Sequence, residues 1–333
     1  MRRSSAMATC AVLGALLATP AFASQDEARA WLERMTEALA TRNYEGLFTH
    51  TTGRQSETMR IVHRVGRNGS TERLVSLDGS GREIVRTPSE VHVYLPDRRV
   101  VLVEPRTDSG SLAQALPAPG PRLEALYELG IRDGQRLLGR DVRVLDVRPK
   151  DGYRYGYRLW LDEESGMPLR SVVLNGHGRP VELIHFTQLE LPRRIDARET
   201  EASVDATGYQ WIRSSRRASG AVDVPAGWRP MRTPPGFRVV ASRMQVMPGV
   251  PVPVQHLVLS DGFASVSVFI EPGSASQPSP PESASLGSAS AFSTRVHGHV
   301  VTAVGEVPLE TVRAIATSVA PAGPEPAPAE ISR

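Results

Sequence analysis

Alternation of apolar and polar residues with a period of two dominates the chain from about Leu47 to Leu191. This is the spacing of half-buried β-strands, because successive side chains of a strand point to opposite faces of the sheet. The alternating segments are short, and turn-forming sequences such as Asp78–Gly81 separate them. The pattern predicts many antiparallel strands and few helices. We expect one large, strongly curved sheet that is covered on one side.

The clearest part of this pattern is a meander from Tyr153 to Leu191. Turns at Asp162–Gly166 and Asn175–Gly178 divide it into three strands. In the first strand the residues at odd positions are apolar or aromatic, so they are expected to share one face. These residues are Tyr153, Tyr155, Tyr157, Leu159 and Leu161.

Helical spacing is limited to a few places. Ser24 and Glu27 form a capping box at the start of a first helix. Its apolar face is predicted to carry Ala28, Trp31, Leu32, Met35 and Leu39. Asn43 and Gly46 end the helical pattern. A Pro/Gly/Ala-rich segment, residues 109–121, precedes a short helical segment at Leu123 to Leu129.

Residues 1–23 read as a secretory signal peptide. Arg2 and Arg3 form a positive start, Ala11 to Ala18 an apolar centre, and Ala21 to Ala23 an A-x-A cleavage site. We therefore expect export to the periplasm with cleavage after Ala23. The single cysteine, Cys10, lies in this segment, so the mature chain would have no disulfide and no cysteine chemistry.

A second domain is predicted at residues 226–320. The apolar pattern fades over residues 196–225, which we interpret as a linker after a first domain at 24–195. Asp261-Gly262 joins two alternating segments and predicts a hairpin with a type I′ turn. A second hairpin turns at Gly298, and Pro308 begins a helix with Leu309, Val312, Ile315, Ala316 and Val319 inward. Residues 272–290 are predicted to be a flexible insert, and 321–333 a disordered tail.

The charge balance argues against nucleic acid as a partner. The chain has 39 Lys and Arg residues, 36 Asp and Glu residues and a pI near 9.3. Removing Arg2 and Arg3 with the signal peptide leaves a net charge of +1. That charge is too small to indicate a nucleic-acid surface.

The sequence contains no motif that indicates catalysis, a cofactor or a metal. G-x-S-x-G, the P-loop, H-E-x-x-H and C-x-x-C are all absent. His297 and His299 have the spacing of ligands on one strand face, but no acid or third histidine lies beside them, so solvated turn residues are favoured. The acids of the 162–166 turn are interpreted as solvated. We expect a binding protein and not an enzyme.

Candidate binding residues follow from the alternation of faces. On the first sheet, the residues of one face could line an apolar groove or could form ordinary core, and the sequence supports both equally. These candidates are Tyr44, Phe48, Val91, Val93, Leu95, Tyr155, Tyr157 and Leu159. On the hairpin of the second domain, the candidates are Phe263, Val266, Val268 and Phe269.

Two segments resemble a known family. Residues 160–170, WLDEESGMPLR, resemble a strand-turn-strand of the LolA-like lipoprotein-carrier fold. With residues 258–270, VLSDGFASVSVFI, placed after it in a second domain, the chain from 24 to 320 is similar to the RseB/MucB family of sigma-E regulatory proteins. This family resemblance implies lipid or peptide binding for the candidate residues on the first sheet and contact with a protein partner for those on the second-domain hairpin.

The resemblance implies an α+β fold: an antiparallel half-barrel covered by helices, and a smaller α/β domain with hairpins and a terminal helix. It implies a partner, the periplasmic domain of a single-pass, RseA/MucA-like anti-sigma factor, which the protein shields from site-1 proteolysis. Lipid or lipopolysaccharide would be the releasing signal. The sequence leaves three points open: a lipid or lipoprotein carrier as the alternative function, a hydrolase with an unseen site, and a homodimer as the assembly.

Overall fold

Twelve strands form one continuous sheet in the first part of the chain. The computed structural model describes residues 25–106, 112, 116–213, 227–245, 252–273 and 282–322. The predicted signal peptide, residues 1–23, and the tail beyond residue 322 lie outside these residues. The sheet order is β12-β6-β5-β4-β3-β2-β1-β11-β10-β9-β8-β7, so β12 and β7 are its two edges and the sheet is open.

All neighbouring strands of this sheet are antiparallel except β12, which pairs in parallel with β6. The strands are β1 (Tyr44–Thr52), β2 (Gln55–Gly66), β3 (Gly69–Ser76), β4 (Glu83–Arg86), β5 (Glu90–Leu95), β6 (Val100–Pro105), β7 (Tyr127–Asp133), β8 (Val142–Pro149), β9 (Gly156–Asp162), β10 (Pro168–Leu174), β11 (Pro180–Glu190) and β12 (Gln210–Arg213).

Helix α1 (Gln25–Thr41) packs against the inner face of the sheet, which we define as the face that bears Ile61 and Leu159. The predicted apolar stripe is confirmed for most of its positions: the buried residues of α1 are Ala28, Leu32, Met35, Ala38 and Leu39. Trp31 is only partly buried, under the guanidinium of Arg34. Arg34 also donates to the carbonyls of Glu163 and Glu164, both at 2.7 Å, and so fixes the helix to the β9–β10 turn.

Gly46 lies inside β1, although the sequence placed it in the break after α1. A Cβ atom at this position would lie 2.3 Å from the carbonyl oxygen of Gln188 on β11. Because backbone atoms of a paired strand cannot move aside cheaply, we expect Gly46→Ala to lower the free energy of unfolding by about 1–3 kcal/mol. Urea denaturation measures this loss.

Gly176→Ala is the matched control, since no heavy atom lies within 4 Å of the Cβ it would add. It should change the free energy of unfolding by less than about 0.5 kcal/mol. Equal stability of the two variants would contradict the close approach of β1 and β11.

Several details of the first domain differ from the sequence predictions. The helical segment at Leu123 to Leu129 is only one turn, α2 (Leu123–Leu126), and the chain continues directly as β7. Strands β7 and β8 were not predicted. Strand β9 starts at Gly156, so Tyr153 and Tyr155 precede it and do not share its face with Leu159.

Residues 197–213, which the composition assigned to a linker, pack on the first sheet. Ala202, Val204, Ala206 and Tyr209 cover a small apolar cluster on the outer face of the sheet. The chain then adds β12 at the edge beside β6. Small side chains pack closely on a sheet without forming an apolar period, and this explains why the alternation fades here.

The second domain is a six-stranded sheet with order β14-β15-β16-β19-β18-β17 and a two-stranded sheet of β13 and β20. Helix α3 (Leu309–Ser318) packs on one face of the larger sheet, and Val312, Ile315 and Ala316 are buried there as predicted. The strands are β13 (Trp228–Pro230), β14 (Arg238–Gln245), β15 (Val254–Ser260), β16 (Ser265–Pro272), β17 (Glu282–Leu286), β18 (Ala289–Val296), β19 (His299–Gly305) and β20 (Val319–Pro321).

Both predicted hairpins are present, with one change at the first. The β15–β16 connection runs from Asp261 to Ala264, and Asp261 accepts hydrogen bonds from the N–H groups of Phe263 and Ala264 at 2.8 Å. It is therefore longer than a two-residue type I′ turn. Part of the predicted insert is also ordered, because residues 282–290 form β17 and the start of β18. We find Pro308 just before α3, as its N-cap.

Candidate functional site

The two domains meet around Arg154, whose side chain is fully buried between them. Its Nε donates to Asp261 at 2.7 Å, and its other nitrogens donate to Asp151 and to the carbonyl of Pro235. The guanidinium also lies 5.2 Å from the centre of the Phe237 ring. Arg154 of the first domain thus connects three segments of the chain, those that contain Asp151, Pro235 and Asp261.

Further contacts across the interface surround this ion pair. The Tyr155 hydroxyl donates to the carbonyl of Val307 at 3.2 Å, and the Thr311 hydroxyl donates to the carbonyl of Tyr153 at 2.8 Å. The Ser288 hydroxyl donates to Glu182, whose carboxylate also lies 2.9 Å from the His50 ring. Tyr153 and Tyr155 therefore lie at the domain interface and are not part of β9.

A cavity of about 580 Å³ lies between the domains. Tyr127 of β7 and Tyr157 of β9 form its wall on the first domain, together with residues 116–118. Phe263 and the neighbouring residues of the β15–β16 loop form the opposite wall, and its ring meets that of Tyr127 edge to face at 5.5 Å. The volume is within the range of sites that hold small ligands or a few side chains.

The end of β19 contributes a carboxylate, Glu306, to this cavity. Burial raises the pKa of Glu306, and the nearby Glu182 raises it further, while His50 acts in the opposite direction. Burial also raises the pKa of Tyr127 and that of Tyr157 far above the usual range, so both keep their hydroxyl protons. The cavity thus combines aromatic walls with one acidic group.

The inner face of the first sheet extends beyond the core as a row of apolar residues. Cross-strand pairing aligns Ile61 with Leu74, Ile84, Val93, Leu102 and Ile212 in that order. Ile61 is fully buried, the next four are half-buried, and Ile212 is 44% exposed. We call these six residues the inner apolar row.

A polar group interrupts the inner face beside this row. Glu72 of β3 is 1% exposed and pairs with Arg86 of β4 at 3.2 Å. Its carboxylate accepts no hydrogen bond from any described residue. Burial raises the pKa of Glu72 to about 7, although Arg86 and Arg106 lower it. Burial lowers the pKa of the neighbouring His63, which stacks on Tyr44 with ring centres 4.6 Å apart.

The candidates on the first sheet divide into three groups. Tyr44, Phe48 and Leu159 are core residues, each at most 3% exposed, beneath α1 and the opposite strands. Val91, Val93 and Leu95 are half-buried on the inner face, at or beside the inner apolar row. Tyr155 and Tyr157 lie at the domain interface, and only Tyr157 lines the cavity.

The candidates on the second domain do not share one face. Val266 and Val268 have no exposed surface because they point into the core beneath α3. A partner cannot reach them in the folded protein. Phe269 lies on the opposite face, stacked on His256 with ring centres 4.4 Å apart. Phe263, at the hairpin tip, lines the cavity.

Sequence reasoning missed the residues that join the domains. Arg154 stands between two tyrosines in the sequence, and no local pattern distinguishes a buried arginine from a solvated one. The helical spacing of residues 123–129 predicts a helix at Tyr127, and no motif in the sequence points to Glu306. The Asp261 turn was the one available signal, because a carboxylate in a hairpin loop is free to accept an arginine.

Metal binding has no support among the described residues, in which no three His, Cys, Asp or Glu side chains are grouped as a metal site requires. His297 and His299 lie beside Trp228, and the His299 and Trp228 ring centres are 4.6 Å apart. No described helix combines the length and apolar character that crossing a bilayer requires.

Comparison with known proteins agrees with this architecture. A model of the MucB/RseB N-terminal domain matches residues 27–204, and one of the MucB/RseB C-terminal domain matches residues 223–320. The chain is 35% identical over 318 residues to the sigma factor AlgU regulatory protein MucB of Pseudomonas aeruginosa, covering 93% of this chain and 96% of that protein. It is 26% identical over 316 residues to the sigma-E factor regulatory protein RseB of Escherichia coli K12, covering 92% and 95%.

Solved structures of similar proteins match nearly the whole chain. A chain in the complex of Pseudomonas aeruginosa MucA and MucB matches with a TM-score of 0.71 at 31% identity, covering 90% of this chain and 100% of that chain. A crystal structure of MucB matches with a TM-score of 0.59 at the same identity, covering 89% and 98%. Because both domain models match and the similarity to MucB spans nearly the whole sequence, the chain belongs to the MucB/RseB family of sigma factor regulatory proteins.

Proposed function

We propose that this protein binds the periplasmic region of a membrane-anchored anti-sigma factor and thereby restrains an envelope-stress sigma factor. The observation that carries the proposal is the similarity to the MucA–MucB complex over 90% of the chain. The predicted signal peptide supports a periplasmic location.

The cavity between the domains is the proposed contact with the anti-sigma factor. Its walls come from both domains, so an extended segment bound there would contact both at once. Holding that segment in a cleft would keep a site-1 protease from reaching it. The protein would act by binding alone, without catalysis.

The inner apolar row is the proposed site for a lipid signal that releases the partner. An acyl chain gains about 0.8 kcal/mol for each buried methylene group. A micromolar protein contact amounts to about 8 kcal/mol, so burial of about ten methylene groups would compete with it. The same row also favours the alternative function, a lipid or lipoprotein carrier, which would bind lipid without any link to an anti-sigma factor.

The test is calorimetric titration of the mature chain with the periplasmic region of a MucA-like anti-sigma factor, with and without lipopolysaccharide. We expect micromolar or tighter binding, which lipopolysaccharide weakens at least tenfold. Ser267→Trp fills the cavity and should weaken partner binding at least tenfold, because Ser267 lines it. Ser283→Trp, on the exposed edge strand β17, is the control and should bind normally.

Two outcomes would contradict the proposal. Absence of binding to the periplasmic region would remove the regulatory function and favour the carrier. Binding that lipopolysaccharide leaves unchanged would keep the regulatory function and remove the lipid signal.

A further inference from the structure

The chemistry of the cavity between the domains indicates what kind of group it holds. Among its described lining residues, Glu306 is the one that carries a charge. The remaining walls are aromatic, aliphatic or hydroxyl-bearing, including Tyr127, Tyr157, Phe263 and Ser267. No described arginine, lysine or histidine lines the cavity.

Glu306 is exposed, lines the cavity and forms no ion pair or hydrogen bond with any described side chain. Its neighbour Glu182 is occupied differently, since His50 and Ser288 both contact it. An acidic group that has no hydrogen bond or ion pair with a described side chain gains when a cation enters. Aromatic rings beside it add to that gain, because their faces attract cations.

The same arrangement disfavours an anion. A phosphate or carboxylate in the cavity would meet Glu306 with no described cation among the lining residues to compensate it. The anionic headgroup of a lipid would therefore bind elsewhere. The charge of the group in the cavity therefore differs from that of the proposed lipid signal, whose headgroup is anionic.

We infer that the cavity between the domains holds a basic side chain of the partner segment, lysine or arginine, next to an apolar residue, and that Glu306 selects it. This inference rests on the proposed function, since the partner segment is that of the anti-sigma factor. The cation pairs with the Glu306 carboxylate, and the apolar neighbour packs between Tyr157 and Phe263. Glu306 is thus a specificity-determining residue of the complex.

The experiment is calorimetric titration of the mature chain and its variants with the periplasmic region of the MucA-like anti-sigma factor. Glu306→Gln keeps the shape of the side chain and removes its charge, so we expect about tenfold weaker binding at about 50 mM NaCl. Glu306→Lys should bind more weakly still. Raising the salt to about 300 mM should reduce the difference between the wild type and both variants, because screening weakens charge pairs.

Glu310→Gln is the matched control. Glu310 is exposed in the first turn of α3, four residues along the chain, and does not line the cavity. Its affinity should stay within twofold of the wild type. Thermal unfolding of each variant checks that the domains remain folded and docked.

A double-mutant cycle then identifies the cation. Each lysine and arginine of the segment is replaced by alanine and titrated against wild type and Glu306→Gln. At one position of the segment, replacement by alanine should weaken binding to the wild-type protein. The same replacement should weaken binding to Glu306→Gln much less, because the charge pair is already lost there. The same titrations with dodecyl phosphate, an anionic amphiphile, should give the same affinity for Glu306→Gln and the wild type.

The outcomes separate the two proposals. If the wild type binds the segment and Glu306→Gln binds it within twofold, the assignment of Glu306 is overturned while the proposed function stands. If the wild type does not bind the segment, both are overturned. Tighter binding of dodecyl phosphate to Glu306→Gln than to the wild type would place an anionic group beside Glu306 and would also overturn the assignment.

Discussion

Arg154→Met is expected to lower the free energy of unfolding by about 3–5 kcal/mol, because it removes one partner of a buried ion pair and leaves the other without compensation. Arg154 and Asp261 have no exposed side-chain surface. Without the guanidinium, the Asp261 carboxylate would stay buried at the interface, and the carbonyl of Pro235 would lose its donor. Arg154→Met therefore destabilises the contact between the domains.

Differential scanning calorimetry distinguishes this effect from damage to one domain. The wild type is expected to unfold in one transition because the interface couples the domains, whereas Arg154→Met should give two transitions or one broadened transition. Arg136→Met is the control, since Arg136 forms an ion pair with Asp141 in which both side chains are about 70% exposed. It should cost less than about 1 kcal/mol.

A small loss of stability in Arg154→Met, similar to that of Arg136→Met, would contradict the role of the buried ion pair. The double variant Arg154→Met with Asp261→Asn provides a further check. Because it leaves no buried charge on Asp261, it should recover part of the stability lost in the single variant.

Glu72 is expected to make the stability of the protein depend on pH between about pH 5 and pH 8. The pKa of Glu72 is about 7 in the folded protein, against an ordinary value of 4.5. The folded state therefore binds the proton more tightly than the unfolded state. Stability is fully present below the ordinary pKa and is lost as the pH rises through the folded value, by about 3 kcal/mol in total.

Glu72→Gln should remove this dependence, since the amide cannot ionise and keeps nearly the same shape. Urea denaturation at several pH values measures the slope. Glu57→Gln, which removes the β2 carboxylate of a half-exposed pair with Arg82 in the β3–β4 connection, should keep the slope of the wild type. The contrary result is a stability that rises from about pH 5 to about pH 8, equally in the wild type and in Glu72→Gln. It would show that Glu72 is ionised in the folded protein.

The sequence predicted those features that depend on local periodicity. The helix at α1, the β9–β10–β11 meander and the hairpin at Gly298 follow from spacing and turn residues within a few positions of one another. Strands β7 and β8 were missed because the first continues directly from a single helical turn. The segment 197–213 was missed because its small and polar residues pack on a sheet formed earlier in the chain.

The candidate site could be predicted only in part, and the reason is geometric. Alternation shows that Val266 and Phe269 belong to opposite faces, but not which face α3 will cover. Alternation also selected Phe263, which lies at the hairpin tip and lines the cavity. Arg154 and Glu306 acquire their roles from contact between segments far apart in the sequence, and no spacing along the chain records such contacts.

The second domain contacts the first sheet at two separate strands. Phe263 meets Tyr127 of the edge strand β7, and Ser288 donates to Glu182 of β11, four strands away in the sheet order. A change in the curvature of the sheet between β7 and β11 would alter the distance between these two contacts. A ligand that bends this part of the sheet would therefore also disturb the second domain.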